Sequence, residues 1–313
     1  VGDYFGSTVK LSSNGTIIAI GGFGNDGNGN LSGHARIFQY DGFSWNQLGI
    51  DIDGESAEDE SARHLSLSSD GLTVCIGAYR AFGPGDTLRT GHVRVFNWNG
   101  NSWVQKGNNI YGDIISYDWF GWNSDLSDDG NIMATCALQS NNADGYVSVF
   151  EFDGSSWDQI GQNILPENLG NDELCGSTLS LSGTGDRIAI GSQGNTVNGL
   201  GLYSGHVRVF ENIGGSWIQV GQDIDAEGSG DSQSGDWVSL SSDGNTLAYG
   251  TAMNDGNGSN SGHVRIFEYL SGSWTQIGSD IDGEAAEDFS CVNSLSGDGS
   301  TVAVASNGID AGH

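Results

Sequence analysis

Five nearly identical segments recur along the chain: GHARIFQYDGFSW from Gly33, GHVRVFNWNGNSW from Gly91, GYVSVFEFDGSSW from Gly145, GHVRVFENIGGSW from Gly205 and GHVRIFEYLSGSW from Gly262. Their tryptophans, Trp45, Trp103, Trp157, Trp217 and Trp274, follow one another at 58, 54, 60 and 57 residues. A repeat of this length is one supersecondary unit that cannot bury its apolar face alone, so neighbouring copies must stack.

A second landmark precedes each segment: KLSSNGTIIAIGG from Lys10, SLSSDGLTVCIGA from Ser66, DLSDDGNIMATCA from Asp125, SLSGTGDRIAIGS from Ser180, SLSSDGNTLAYGT from Ser239 and SLSGDGSTVAVAS from Ser294. In the first copy an alternating stretch, 7–12, meets a turn at Asn14-Gly15 and a β-branched run, 16–20, which is a strong hairpin signal. A second hairpin starts near His34, turns at Asp41-Gly42 and returns through Trp45. Four antiparallel strands per unit predict an all-β fold, a β-propeller of four-stranded blades. The repeats span about 1–57, 58–112, 113–171, 172–230, 231–286 and 287–313 of a single propeller domain. Six blades are visible, the sixth cut at His313 where its GHVRVF strand should begin, so we expect the natural chain to continue, with a seventh blade as an option.

The 52 glycines and 2 prolines suit a turn-rich β chain. Ten Lys plus Arg against 40 Asp plus Glu give a net charge of −30. That field repels phosphate backbones and anionic lipid surfaces, which argues against nucleic acid as a partner. No apolar run approaches the length of a membrane span. Val1 falls inside a repeat, so a leader is expected upstream or already removed. Cys75, Cys136, Cys175 and Cys291 occupy unlike places in their repeats, and two disulfides in any of three connectivities are open to them.

Phe5-Gly6 and Phe120-Gly121, each ahead of a first hairpin, together with hairpin ends such as Gly21-Gly22 and Gly77-Ala78, resemble the FG-GAP repeats of integrin-alpha-type β-propellers. Phe-Gly is missing at Ser61-Ala62, Cys175-Gly176, Ser234-Gly235 and Phe289-Ser290. The resemblance implies a calcium loop between the first two strands of a repeat. Here a tight turn such as Asn14-Gly15 or Asp70-Gly71 stands in that place, so those ligands do not carry over. The fuller consensus is similar to propeller repeats of large secreted proteins from marine bacteria and algae, which implies a secreted or surface role.

Calcium, if it binds, is expected in the acidic linkers DIDGESAED (51–59), DIDAEGSGD (223–231) and DIDGEAAED (280–288), which set hard oxygen ligands at alternate positions. The candidate ligands are Asp51, Asp53, Glu55, Asp223, Asp225, Asp280, Asp282 and Glu284. The alternative for the same acids is bracing of turns, or pairing with Arg36, Arg94, Arg208 and Arg265. His34, His92, His206 and His263 recur with the repeat and are assigned to packing. The repeat tryptophans are expected to wedge between blades, whereas the off-pattern Trp119, Trp122 and Trp237 are candidate stacking platforms for a sugar. Asn14, Asn30 and Asn257 head sequons.

Searches for G-x-S-x-G, H-E-x-x-H and a P-loop find nothing, and the G-x-G-x-x-G match at 22–27 opens no helix. No catalytic residue is assigned. The expectation is therefore a non-catalytic extracellular or cell-surface propeller acting in adhesion or as a building block of a filament or matrix. Its partners would be copies of itself, other extracellular proteins or glycans. The alternative is a carbohydrate-binding, lectin-like propeller, and a glycan-active enzyme stands third.

Overall fold

The computed structural model describes residues 2–85, 88–112, 118–169, 173–195, 203–227 and 234–308. The expected sixth GHVRVF strand and the linker end at 228–231 lie outside them. The chain divides into two compact units, one of residues 1–140 with 147–160, the other of residues 141–146 with 161–313.

The first unit holds three antiparallel sheets. Sheet 1 runs Thr8–Leu11, Ile17–Gly22, His34–Tyr40, Trp45–Gln47 in that spatial order. Sheet 2 repeats the meander with Leu65–Leu67, Thr73–Ala78, His92–Trp98 and Trp103–Gln105. Sheet 3 does so with Phe120–Leu126, Ile132–Ala137, Val147–Phe152 and Trp157–Gln159.

The second unit holds sheet 4, Cys175–Leu181, Arg187–Ser192, His206–Ile213 and Ser216–Gln219, and sheet 5, Trp237–Leu240, Thr246–Thr251, His263–Leu270 and Ser273–Gln276. The hairpin Ser290–Leu295 and Val302–Ser306 forms sheet 6.

Two local features differ from the sequence expectation. The first connection is not a two-residue turn, because pairing stops at Leu11 and resumes at Ile18. A serine and an acid or amide close the gap: the Ser68 hydroxyl donates to Asp70 at 2.7 Å and accepts the Thr73 N–H at 2.9 Å. Ser127 with Asp129, Ser241 with Asp243 and Ser296 with Asp298 repeat the bond. Only a side chain that both accepts and donates can do this, which accounts for the recurring L-S-x-D-G. The second difference is that the linkers begin as strands. Ile52–Asp53, Ile110–Tyr111, Ile224–Asp225 and Ile281–Asp282 each pair with the start of the third strand, beyond the reach of the short fourth.

Within each unit a core lies between two successive sheets. In the first unit Ile17, Ala19, Ile37 and Ile52 of sheet 1 meet Leu65, Leu67, Val74, Ile76 and Phe96 of sheet 2. In the second, Val207, Val209 and Ile224 of sheet 4 meet Val238, Leu240, Leu247, Tyr249 and Trp274 of sheet 5. From the second repeat on, the repeat tryptophan reaches back to the preceding repeat. Trp103 Nε1 donates to the Leu48 carbonyl at 2.7 Å, Trp157 to Lys106 at 2.7 Å and Trp274 to Val220 at 3.0 Å. The glycine after each acceptor is required, since a Cβ on Gly49 would stand 2.8 Å from the Trp98 ring and 3.0 Å from the Trp103 ring, and its φ is +81°. Trp217 is seated against Gly161 in the same way. At Gly278 the corresponding seat is a cleft of about 250 Å³ lined by Ile266, Ile277, Leu295 and Val302.

The four cysteines are buried free thiols in four different sheets. Among the described residues no helix is long and apolar enough to cross a membrane.

Candidate functional site

Two positions of the repeat gather chemistry. The first follows from strand register. His34 lies opposite Asp53 and Ala35 opposite Ile52, so alternation puts His34, Arg36, Asp51 and Asp53 on one face and Ala35 and Ile52 on the other. His34 Nδ1 is 3.5 Å from Asp51 Oδ2, and the ligating atoms of His34, Asp51 and Asp53 lie within 4.8 Å of one another. Glu167, His206 and Asp223 form a second such cluster, and Glu227, His263 and Asp280 a third. The Glu in these two comes from the linker of the preceding repeat. Glu55 does the same in the second repeat, 3.6 Å from His92 Nε2, but there Asn109 replaces the aspartate and donates to Glu55 at 2.8 Å.

The acids in these clusters have different company. Arg36 binds Asp51 through Nε and Nη2, and Arg265 lies 2.9 Å from Glu227 and 3.7 Å from Asp280. Arg94 and Arg208 instead donate to the Asp53 and Leu165 carbonyls. The four histidines are almost completely buried. Burial, then the neighbouring arginine, lowers the pKa of His34, takes His92 down to about 3 and His206 to about 4, so these imidazoles are neutral. The donor sets join imidazole nitrogen to carboxylates and could hold a metal, but they are not the all-oxygen sets expected for calcium. Asp225 and Asp282 face His206 and His263 across the ladder, and Glu284 offers its backbone carbonyl to Asn257.

The second position is the lead-in to each first strand. Tyr4, Glu60, Trp119, Leu174 and Phe289 all take the left-handed conformation, with φ from +48° to +58°. The residue after each of the last four is tied back to the preceding repeat, as in the bond from Ser61 N–H to the Ser32 carbonyl at 3.0 Å. The strain is thus structural at this point of the repeat. Phe5-Gly6 and Phe120-Gly121 occupy this place, and in sheet 6 it falls on Ser290-Cys291, one residue later than the sequence alignment puts it.

Side chains next to that strained residue diverge between repeats. In the first unit Arg63 sits over Phe23 at 5.0 Å and Trp122 at 4.9 Å. Trp122 stacks on Trp119 at 5.3 Å, and both meet Tyr79 edge-on. Buried Glu60 receives the Tyr79 hydroxyl at 2.6 Å and pairs with Arg80. Burial and that bond push Tyr79 up to about 12, and burial then Arg63 takes His64 down to about 4. Trp119 and Trp122, the candidate stacking platforms, stand together as the wall of an Arg63 cage and are partly buried.

In the second unit the equivalent of Arg63 is Asp236. Its carboxylate accepts from the Gln193 side chain and, at 3.3 Å, from the Ala252 N–H. Burial raises its pKa to about 7, the range in which one side chain can exchange protons at neutral pH. Trp237 follows it and is 40% exposed. No sequence motif marks Asp236; the available signal was that repeats otherwise alike differ at this position, with Ser7, Arg63, Trp122, Ser177, Asp236 and Val292.

The sequon residues sit unequally. Asn14 Oδ1 closes the first turn by accepting from Ser12 and Thr16, and Asn257 Nδ2 is committed to the carbonyls of Gly283 and Glu284 at 2.9 and 3.0 Å. Asn30 is exposed. It is Asn28, not Asn30, that matches Asn257, binding the carbonyls of Gly54 and Glu55.

No protein-family model matches the sequence, and no curated protein does. Solved structures do. Hydrazine synthase of Kuenenia stuttgartiensis aligns with a TM-score of 0.59 at 13% identity over 97% of this chain and 73% of its own. The periplasmic gluconolactonase of Pseudomonas aeruginosa gives 0.58 at 18% identity, over 90% and 73%. A Bacteroides uniformis protein assigned as a 6-phosphogluconolactonase gives 0.52 at 11% identity, over 96% and 88%. The likeness shows a β-propeller-like, all-β fold.

The neighbours also correct the expectation of a non-catalytic adhesion, filament or lectin-like module. One is a gluconolactonase and another is assigned as a 6-phosphogluconolactonase, so the fold carries enzymes. Missing linear motifs were the wrong test, because loop-borne side chains of different repeats need no fixed spacing. On the sequence and structures together, the chain is a β-propeller-like repeat protein of a fold that supports lactone hydrolysis in other proteins.

Proposed function

We propose that this chain is a hydrolase of cyclic sugar esters, with Asp236 as general base. The supporting observation is the half-buried Asp236 carboxylate, held by Gln193 and the Ala252 N–H, with a pKa of about 7. The named activities of the two lactonase neighbours supply the substrate class. Ionised Asp236 takes a proton from water as its oxygen adds to the lactone carbonyl. The ring C–O bond then breaks, the alkoxide leaving group takes up the proton, and an open-chain hydroxy acid results. Trp237 offers a flat apolar surface beside the acid.

The test is acid release from glucono-δ-lactone at constant pH, with the spontaneous rate subtracted. The enzymatic rate should rise with pH through about 7, and Asp236→Asn should lower it by roughly 10²–10⁴-fold. A rate equal to the spontaneous one, or an unchanged Asp236→Asn variant, would overturn the assignment. Kinship with FG-GAP repeats and a secreted or cell-surface setting belong to the same proposal. They are supported by Phe5-Gly6, Phe120-Gly121 and the acidic balance.

A further inference from the structure

We propose that Glu167, His206 and Asp223 form a binding site for a borderline divalent cation of the Zn²⁺ type. This site shares no side chain with the Asp236 site and would tie the linker after the third repeat to sheet 4. The carrying observation is His206: its side chain is fully buried, neither ring nitrogen has a hydrogen-bond partner, and Nδ1 faces Asp223 Oδ2 at 4.0 Å. An orphaned buried imidazole costs stability, and a ligated cation would relieve that cost.

The surroundings hold the donors in place. Asp223 Oδ1 is anchored by the Gln219 amide, which leaves Oδ2 toward His206. The loop bearing Glu167 is fastened by buried Glu173, which accepts the N–H groups of residues 167 and 168 at 3.0 and 2.9 Å. The Glu167 side chain itself is exposed and can swing in. Tetrahedral zinc with bonds of 2.0–2.1 Å wants donors about 3.3 Å apart, so the 4.0 Å gap must close by about 0.7 Å. One nitrogen and two carboxylates leave a fourth position for water, a set that suits zinc better than calcium with its six to eight oxygens.

The two sister clusters differ in that an arginine competes for a carboxylate, Arg36 at Asp51 and Arg265 at Glu227. Arg208, in contrast, is turned to the Leu165 carbonyl. One site, not three, is therefore assigned.

The experiment is calorimetric titration of the EDTA-dialysed full chain with ZnCl₂, beside CaCl₂ and MgCl₂, followed by thermal unfolding. One equivalent of zinc should bind and raise the melting temperature, with neither effect from calcium or magnesium at the same concentration. Glu167→Gln and Asp223→Asn change partly exposed groups and should each weaken zinc binding tenfold or more, while Asp51→Asn leaves it unchanged. Cobalt substitution adds a reading that does not depend on stability, since imidazole and carboxylate ligation gives visible bands that Glu167→Gln should alter. No saturable zinc binding, binding indifferent to both variants, or equal affinity for calcium would overturn the assignment. None of these readings involves hydrolysis, so they stand or fall independently of Asp236.

Discussion

Arg36 and Asp51 meet two residues along from the His34–Asp53 pair, just past the end of the ladder, and the two guanidinium contacts, at 2.9 and 2.8 Å, fall on the same carboxylate oxygen. The arginine bond holds the Asp51 pKa below the ordinary carboxylate value. A depressed pKa adds stability above the unfolded value of about 3.9 and loses it as pH falls through the folded one. Both side chains are about one-third exposed, so Asp51→Asn should cost only about 0.2–1 kcal/mol at pH 7. Urea unfolding of the variant and parent should differ at pH 7, less so in 1 M salt, and converge near pH 2.

The seat of the repeat tryptophan gives a contrast within one chain. Trp274 is 3% exposed and lies against Gly221, whereas Trp45 is 44% exposed. Trp274→Ala should therefore cost about 3–5 kcal/mol, and Trp45→Ala about 1 kcal/mol or less. Chemical denaturation of both variants tests this, and equal losses would mean that the seat is not the source of the difference. Gly221→Ala should also be costly, because its Cβ would stand 2.6 Å from the Trp274 ring at a φ of +76°.

Much of this architecture could be seen in the sequence because it is written several times. A hairpin that starts near His34 and turns at Asp41-Gly42 can be read from one copy and matches the third strand, His34–Tyr40, and the pairing of H-x-R with D-x-D is implied once a register is known. That register was not accessible from the linkers, since a two-residue strand such as Ile52–Asp53 has no periodicity to detect. The recurring histidines were assigned to packing because a repeated position is what packing symmetry produces. The orphaned ring nitrogens of His34, His92 and His206 appear only when burial is known. Asp236 is marked in the sequence only by the divergence of the repeats at its position, and its raised pKa, which is set by burial, cannot be read from its letter among 40 acidic residues.

The thiols should be silent in the native protein. Burial pushes Cys75 up to about 12, Cys175 to about 11 and Cys291 to about 12, and Cys136 is equally enclosed. Thiolate is the reactive form, so Ellman's reagent should label close to none of the four before unfolding and all four in guanidinium. A reductant should leave the melting temperature unchanged. Fewer than four thiols after unfolding without reductant would reveal a disulfide.

Asp236 should show opposite effects on activity and stability. Its folded pKa is raised, so between about pH 4 and pH 7 the folded state holds a proton that the unfolded chain has released. Stability contributed by this group therefore falls as pH rises through that window, and the full penalty is present above pH 7. Removing the charge with Asp236→Asn should stabilise the protein at pH 8, on the order of 2–4 kcal/mol as an upper bound, and give no such gain at pH 4. If Asp236 is the proposed general base, the same variant should also lose lactone hydrolysis at pH 8, the trade expected where a site holds a destabilised group for its chemistry. Paired urea melts at pH 4 and pH 8 with an activity assay at pH 8 would check this. Destabilisation at pH 8 would mean that the bonds from Gln193 and Ala252 favour the ionised carboxylate more than burial opposes it.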